Sequence, residues 1–216
     1  MRHALGMKMT QLLLPTLVAT SALAASTCLA AAQESVLYDL ALDVDKDGSM
    51  DRAVLVLVGP SPAEFTDAAK EFYILAEGER ADLYVYLGGG DADLDISQQP
   101  DLLKESLVTS DQLKFAMPLG TNSKGSLNVV SSNGFGNTGN VTETLTIVYR
   151  DSRFLVAGLE VDWSLREDSS ECSINFLSGK AVKRLNDEKG LVLKGRFKPI
   201  PLTDWSDETR PTVCEE

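Results

Sequence analysis

The stretch Asp43-Val44-Asp45-Lys46-Asp47-Gly48-Ser49-Met50-Asp51 carries the clearest chemistry in the chain. Its carboxylates fall at loop positions 1, 3, 5 and 9, with a glycine at position 6. In a tightly wound loop, alternate residues point their oxygens at a common centre, and Gly48 permits the sharp turn that a side chain would obstruct. The carbonyl of Ser49, at position 7, adds a further oxygen. Crowded carboxylates repel unless a hard cation sits among them, and a flexible all-oxygen cage suits calcium better than magnesium. The predicted ligands are therefore Asp43, Asp45, Asp47, Ser49 and Asp51, with Ca2+ as the cofactor. An EF-hand is excluded, because Val54 stands at position 12, where a bidentate Glu is required.

The flanks of this loop are β-type apolar runs, Val36 to Leu42 and Ala53 to Val58. Further strands are expected over Asp82 to Leu87, Ser126 to Ser131, Glu143 to Tyr149, Phe154 to Trp163, Cys172 to Phe176 and Leu191 to Phe197. Between Glu143 and Tyr149, threonine and valine alternate with larger apolar residues, the period of a half-buried strand. Tyr149 to Phe154 reads as a tight hairpin turn. Ala63 to Leu75 is expected to be helical in part, and Pro100 to Leu107 to form a helical turn or two. The Gly/Asn-rich stretch Ser131 to Asn140 reads as a loop. Lys198-Pro199-Ile200-Pro201 is too proline-rich for a central strand and should run extended over the surface. The fold class is all-β or β-rich: a single domain of antiparallel strands and hairpins over 33–203, with few short helices and a tail over 204–216.

Length and charge narrow the rest. The chain has 216 residues, 44% of them hydrophobic and 24% charged, which excludes a disordered chain and a polytopic membrane protein. Its net charge of −12 argues against nucleic acid as a partner. Arg2 and Lys8 precede an apolar run from Leu12 to Ala25 and a series of small residues, the order of a secretory signal peptide. Cleavage after Ala24 or after Ala32 fits. The apolar run falls short of the roughly 20 residues that span a bilayer, so no membrane span is expected in the mature form. Periplasmic or secreted localisation follows. Removing Arg2 and Lys8 lowers the basic residues from 20 to 18 against 32 acids, and the net charge moves from −12 to −14.

Cleavage also removes Cys28 and the one histidine, His3. Cys172 and Cys214 remain, an even pair that reads as one disulfide in an oxidising compartment, tying the tail back to the body. Without histidine, Ser-His-Asp and Cys-His catalysis and His-ligated metals are unavailable. The remaining chemistry must use carboxylates, Lys, Tyr, Ser or a hard metal.

A strand, an Asp-rich loop and a strand of the form Ala53-Val54-Leu55-Val56 is similar to the calcium loops of FG-GAP/VCBS (integrin-α-like) repeat proteins. A propeller needs about four blades or more, and this chain offers one such loop. What the resemblance implies is thus only a ligand role for Asp43, Asp45, Asp47 and Asp51. The segments Glu143 to Tyr149, Arg153 to Gly158 and Ser173 to Lys180 resemble a group of bacterial exported proteins, a likeness that implies no activity.

Weaker constellations complete the inventory. Asp91, Asp93 and Asp95 alternate after Gly88-Gly89-Gly90 and read as a charged turn more readily than as a second cation site; no Lys-Ser/Thr follows, so this is not a phosphate loop. Trp163 and Trp205 could form a carbohydrate platform, though core packing is the commoner fate. Glu160, Asp162, Glu167 and Asp168 could include a glycosidase pair, but neighbouring acids arise by chance in a chain with 32 of them. Lys180 to Arg184 is a basic cluster at an expected strand end. The reading that follows is a non-enzymatic exported calcium-binding module with a structural or interaction role, whose partner is an envelope or extracellular protein or polymer. A metal- and carboxylate-dependent hydrolase of the cell envelope is the alternative.

Overall fold

Alternation of apolar and polar residues turns into strands over much of the described chain. The computed structural model describes residues 33–60, 72–90, 93, 95–110, 115–134, 139–186 and 188–214. The expected signal peptide and most of the stretch expected to be part-helical lie outside them. In chain order the strands are β1 (Gln33–Leu42), β2 (Asp51–Gly59), β3 (Tyr73–Ile74), β4 (Arg80–Tyr86), β5 (Leu102–Thr109), β6 (Phe115–Ala116) and β7 (Gly120–Thr121). They continue as β8 (Leu127–Ser132), β9 (Asn140–Arg150), β10 (Arg153–Leu165), β11 (Asp168–Asn175), β12 (Lys180–Leu185), β13 (Leu191–Leu193) and β14 (Ile200–Pro201). Short 3-10 turns at Leu202–Asp204 and Thr212–Cys214 are the helical elements among the described residues. The fold is all-β, as expected, and no described helix is long and apolar enough to cross a membrane.

Two antiparallel sheets form. The smaller has the order β1-β2-β4-β5, and the larger runs β13-β12-β11-β10-β9-β8-β6-β3 with β14 and β7 paired at its margins. They share one core: Ala53, Leu55, Leu57, Leu83 and Val85 from the small sheet pack with Val129, Leu145, Ile147, Leu159 and Ile174 from the large one. The reason is the period of two, which sends alternate residues of each strand to the same face. On β2 the opposite face is also buried, at Val54, Val56 and Val58, so this strand reads as a continuous apolar run. Tyr38 on β1 links the sheets, its hydroxyl donating to the carbonyl of Ala116 at 3.1 Å.

Several expectations need correction. Residues 102–109 are strand β5, not helical turns. They pair with β4 through a bulge, where Ser106 adopts φ +53 and donates its N–H to buried Asp82 at 2.7 Å. Of the part-helical stretch, Tyr73 and Ile74 are strand. Ser131 and Ser132 belong to β8, so the Gly/Asn-rich loop is shorter than its composition suggests. The strand expected over Leu191 to Phe197 stops at Leu193. Lys180 to Arg184 is not a strand end but β12, flanked on both sides by other strands. Ile200–Pro201 is extended, as expected, and pairs over two residues with Leu155 and Val156 of β10, a place that β11 leaves open by starting its pairing at Gly158.

The tail is more than an appendage. Trp205 is 6% exposed and meets Phe176 edge to face, with ring centroids 6.3 Å apart. Leu202 and Cys214 also join the common core. Cys172 and Cys214 lie at disulfide-bonding distance, with their Cα atoms 5.6 Å apart. Arg210 forms an ion pair with buried Glu143 at 2.6 Å. Since Trp205 is buried, the two tryptophans make no shared platform.

Candidate metal site

The loop from Asp43 to Met50 joins β1 to β2 at one end of the small sheet. It is wound tightly enough to place Lys46 at φ +68 and Gly48 at φ +92, the left-handed region that glycine enters without strain. Val44 turns inward and is buried in the core, so the loop is anchored from within.

Carboxylate oxygens of Asp43, Asp45 and Asp51 all lie within 4.8 Å of one another. Asp51 opens β2 and is 1% exposed. One of its oxygens accepts from Val44 N–H at 2.7 Å, the other from Gly88 N–H at 2.8 Å. Asp45 accepts from Asp47 N–H at 3.0 Å, a bond that tightens the turn. Asp43 Oδ1 is buried and accepts no hydrogen bond. An unsatisfied buried carboxylate oxygen is costly. Together with an all-oxygen donor set, this atom fits a hard cation.

Two of the expected ligands stand outside this trio. Asp47 is exposed, and its Oδ1 accepts from Ser49 N–H at 2.6 Å. Ser49 thus uses its backbone N–H to brace the loop. Lys46, between the aspartates in sequence, does not neutralise them. Its ammonium donates to the carbonyls of Asp43 at 3.0 Å and Gly125 at 3.1 Å, tying the loop to the turn that follows β7.

The glycine run after β4 is part of the same construction, which sequence reasoning missed. Gly88 supplies the N–H to Asp51, and Gly90 donates its N–H to the carbonyl of Met50 at 2.7 Å. A Cβ on Gly90 would fall 2.5 Å from Met50 Cβ and 2.7 Å from its backbone carbon, so the close approach requires glycine. The signal was present in the sequence as three glycines directly after a strand, where backbone-to-backbone approach is a standard use of the residue.

The weaker constellations disperse. Asp91 lies outside the described residues. Asp93 lies close enough to Arg52 to raise its pKa, although the larger cause there is the hydrogen bond from Arg52 to Asp39. Asp95 accepts from Ser97 Oγ at 2.6 Å and Ser97 N–H at 3.0 Å, bonds that hold its carboxyl below the usual range. Asp162 lies opposite Glu171 across β10 and β11, and its carboxyl is pushed up, first by desolvation and then by the Glu171 charge. Glu171 is itself paired with Arg184 at 2.8 Å, while Glu160, Glu167 and Asp168 are exposed. Comparison of the chain with known protein families, with curated proteins and with solved structures gives no match.

Proposed function

We propose that this protein is an exported, non-enzymatic module whose Asp43–Asp51 loop binds calcium, with a structural or interaction role toward an envelope or extracellular protein or polymer. The observation that carries the reading is the convergence of Asp43, Asp45 and Asp51. Three oxygens mutually within 4.8 Å share a centre no farther than about 2.8 Å from each, close to calcium's contact distances of roughly 2.3–2.6 Å. Magnesium, at about 2.0–2.1 Å and demanding a near-ideal octahedron, would need a larger contraction. Asp47 and the Ser49 carbonyl would complete the shell on a small rearrangement of the exposed side of the loop. The resemblance to FG-GAP/VCBS loops rests on these same aspartates.

Calcium here would act on stability, not on a reaction. The loop joins the first two strands, meets the glycines after β4 through Asp51 and Met50, and meets the turn after β7 through Lys46. An ion at its centre would therefore fix three connections of the fold at once. Export, to the periplasm or beyond, is supported by the cysteine pair at bonding distance, since disulfides persist in oxidising compartments.

The test is a thermal melt of residues 33–216 in EDTA, in calcium and in magnesium. A ligand that binds only the folded state raises its stability by mass action, so calcium should raise Tm by several degrees and magnesium by less. Asp45→Ala should melt near wild type in EDTA and well below it in calcium. Equal melting of the two proteins in calcium would rule out the site.

A further inference from the structure

The large sheet extends beyond the tail that covers it. Cross-strand register places Val141, Trp163, Ser170 and Leu185 in one row, and Glu143, Val161, Cys172, Lys183 and Leu191 in the next. Alternation sends both rows to the face whose following row is the core set Leu145, Leu159, Ile174 and Ala181. The tail reaches the middle row, through Cys214 on Cys172 and Arg210 on Glu143. Past it the apolar face continues uncovered, with Trp163 37% and Leu185 53% exposed. The result is a cleft of about 450 Å³ walled by Val141, Val161, Trp163 and Leu185, with Lys183 and Arg210 beside them. That volume is in the range of small-molecule sites, and exposed apolar surface of this continuity marks binding.

Its charge is opposite to that of the molecule. The chain carries −12 overall, yet among the described residues the cleft is lined by Lys183 and Arg210 and by no carboxylate. Arg210 is engaged by Glu143. Lys183 has no ion-pair partner among the described residues, whereas its neighbour Arg184, on the opposite face, is paired with Glu171 at 2.8 Å.

We propose that this cleft binds a small anionic amphiphile, a carboxylate carried on an alkyl chain or an aromatic ring. The hydrocarbon lies against the indole of Trp163 and the Leu185 side chain, and the carboxylate meets the Lys183 ammonium. The apolar walls select the body of the ligand and the Lys183 ammonium selects its head. A recess of this size takes one chain, not a folded domain. The proposal is independent of the calcium reading, since the cleft belongs to the large sheet and the aspartate loop joins strands of the small one.

The test is titration of the mature protein with decanoate below its micellar concentration, followed by calorimetry and tryptophan fluorescence. With Trp205 buried, the fluorescence change reports on Trp163. Saturable one-to-one binding is expected, weakened about tenfold or more in Lys183→Gln, the scale of one lost charge-assisted contact, and similarly in Leu185→Ser. Leu177→Ser, at an exposed residue that does not line the cleft, should bind as wild type. Decanol, which has the same chain without the charge, should bind at least about tenfold more weakly, a comparison that needs no variant. Equal binding of decanol, an unaffected Lys183→Gln, or absence of saturation would overturn the proposal. So would binding confined to phosphatidylglycerol vesicles, or self-association of the protein in place of ligand binding.

Discussion

Asp51 and Asp43 share a cluster but differ in what they do without an ion. Asp51 is buried and accepts two backbone N–H groups, from Val44 and Gly88, so it holds the loop and the glycine run together whether or not a cation is present. Asp43 Oδ1 accepts nothing. The two aspartates should therefore separate under substitution. Asp51→Asn replaces one acceptor by an amide that faces a backbone donor, and should cost about 1–3 kcal/mol in EDTA, the scale of a buried group left unsatisfied. Asp43→Asn removes a negative charge beside Asp45 and Asp51 without breaking a bond, so in EDTA it should be at least as stable as wild type. Both should lose the calcium increment. Urea unfolding in EDTA and in calcium measures all four quantities, and equal losses for the two variants in EDTA would refute the distinct role given to Asp51.

At the scale of elements, what was legible in the sequence was what local patterning decides. The β9–β10 hairpin announces itself through alternation on both strands and a polar turn at 150–153, and Asp151 and Ser152 do adopt φ +51 and +58 there. Strand β5 was not legible, because its cause is elsewhere in the chain. Pro100, Lys104 and Glu105 suit a helical turn, but buried Asp82 on β4 captures the N–H of Ser106 and fixes a bulged strand in its place. The partners of Gly88 and Gly90 were likewise not legible: three glycines after a strand signal a close approach, but nothing beside them in the chain names Asp51 and Met50 as what they approach. The link between β1 and β6 gives a prediction at this scale. Burial pushes the Tyr38 hydroxyl up from 10 to about 12, and Tyr84 likewise, with the Glu34 charge adding to burial there. The folded state thus keeps protons that the unfolded state loses first, and stability, full below pH 10, should fall as pH rises from 10 to about 12. Tyr38→Phe should be less stable at pH 8, having lost the bond to Ala116, yet show a shallower decline above pH 10. Urea midpoints across that range decide it, and parallel declines would remove Tyr38 as a source.

For the whole molecule, the tail over 204–214 shows how a segment that reads as an appendage becomes core. Its sequence is mostly polar, with Trp205, Val213 and Cys214 as its apolar residues, so composition alone gives it no continuous hydrophobic face. The anchors suffice because the large sheet provides the surface: Phe176 receives Trp205, Cys172 receives Cys214, and Glu143 receives Arg210. Cross-linking positions 42 apart lowers the entropy of the unfolded chain by an amount worth about 3–4 kcal/mol. Replacing both cysteines by serine should therefore reduce unfolding free energy by about that much. Trp205 should also shift its emission to longer wavelength as the tail loosens. The calcium increment should persist unchanged, because the tail and the aspartate loop share no partner among the described residues, and effects at such sites add. A double substitution that abolished the calcium response as well would mean that the two ends of the fold are coupled through the common core, contrary to this account.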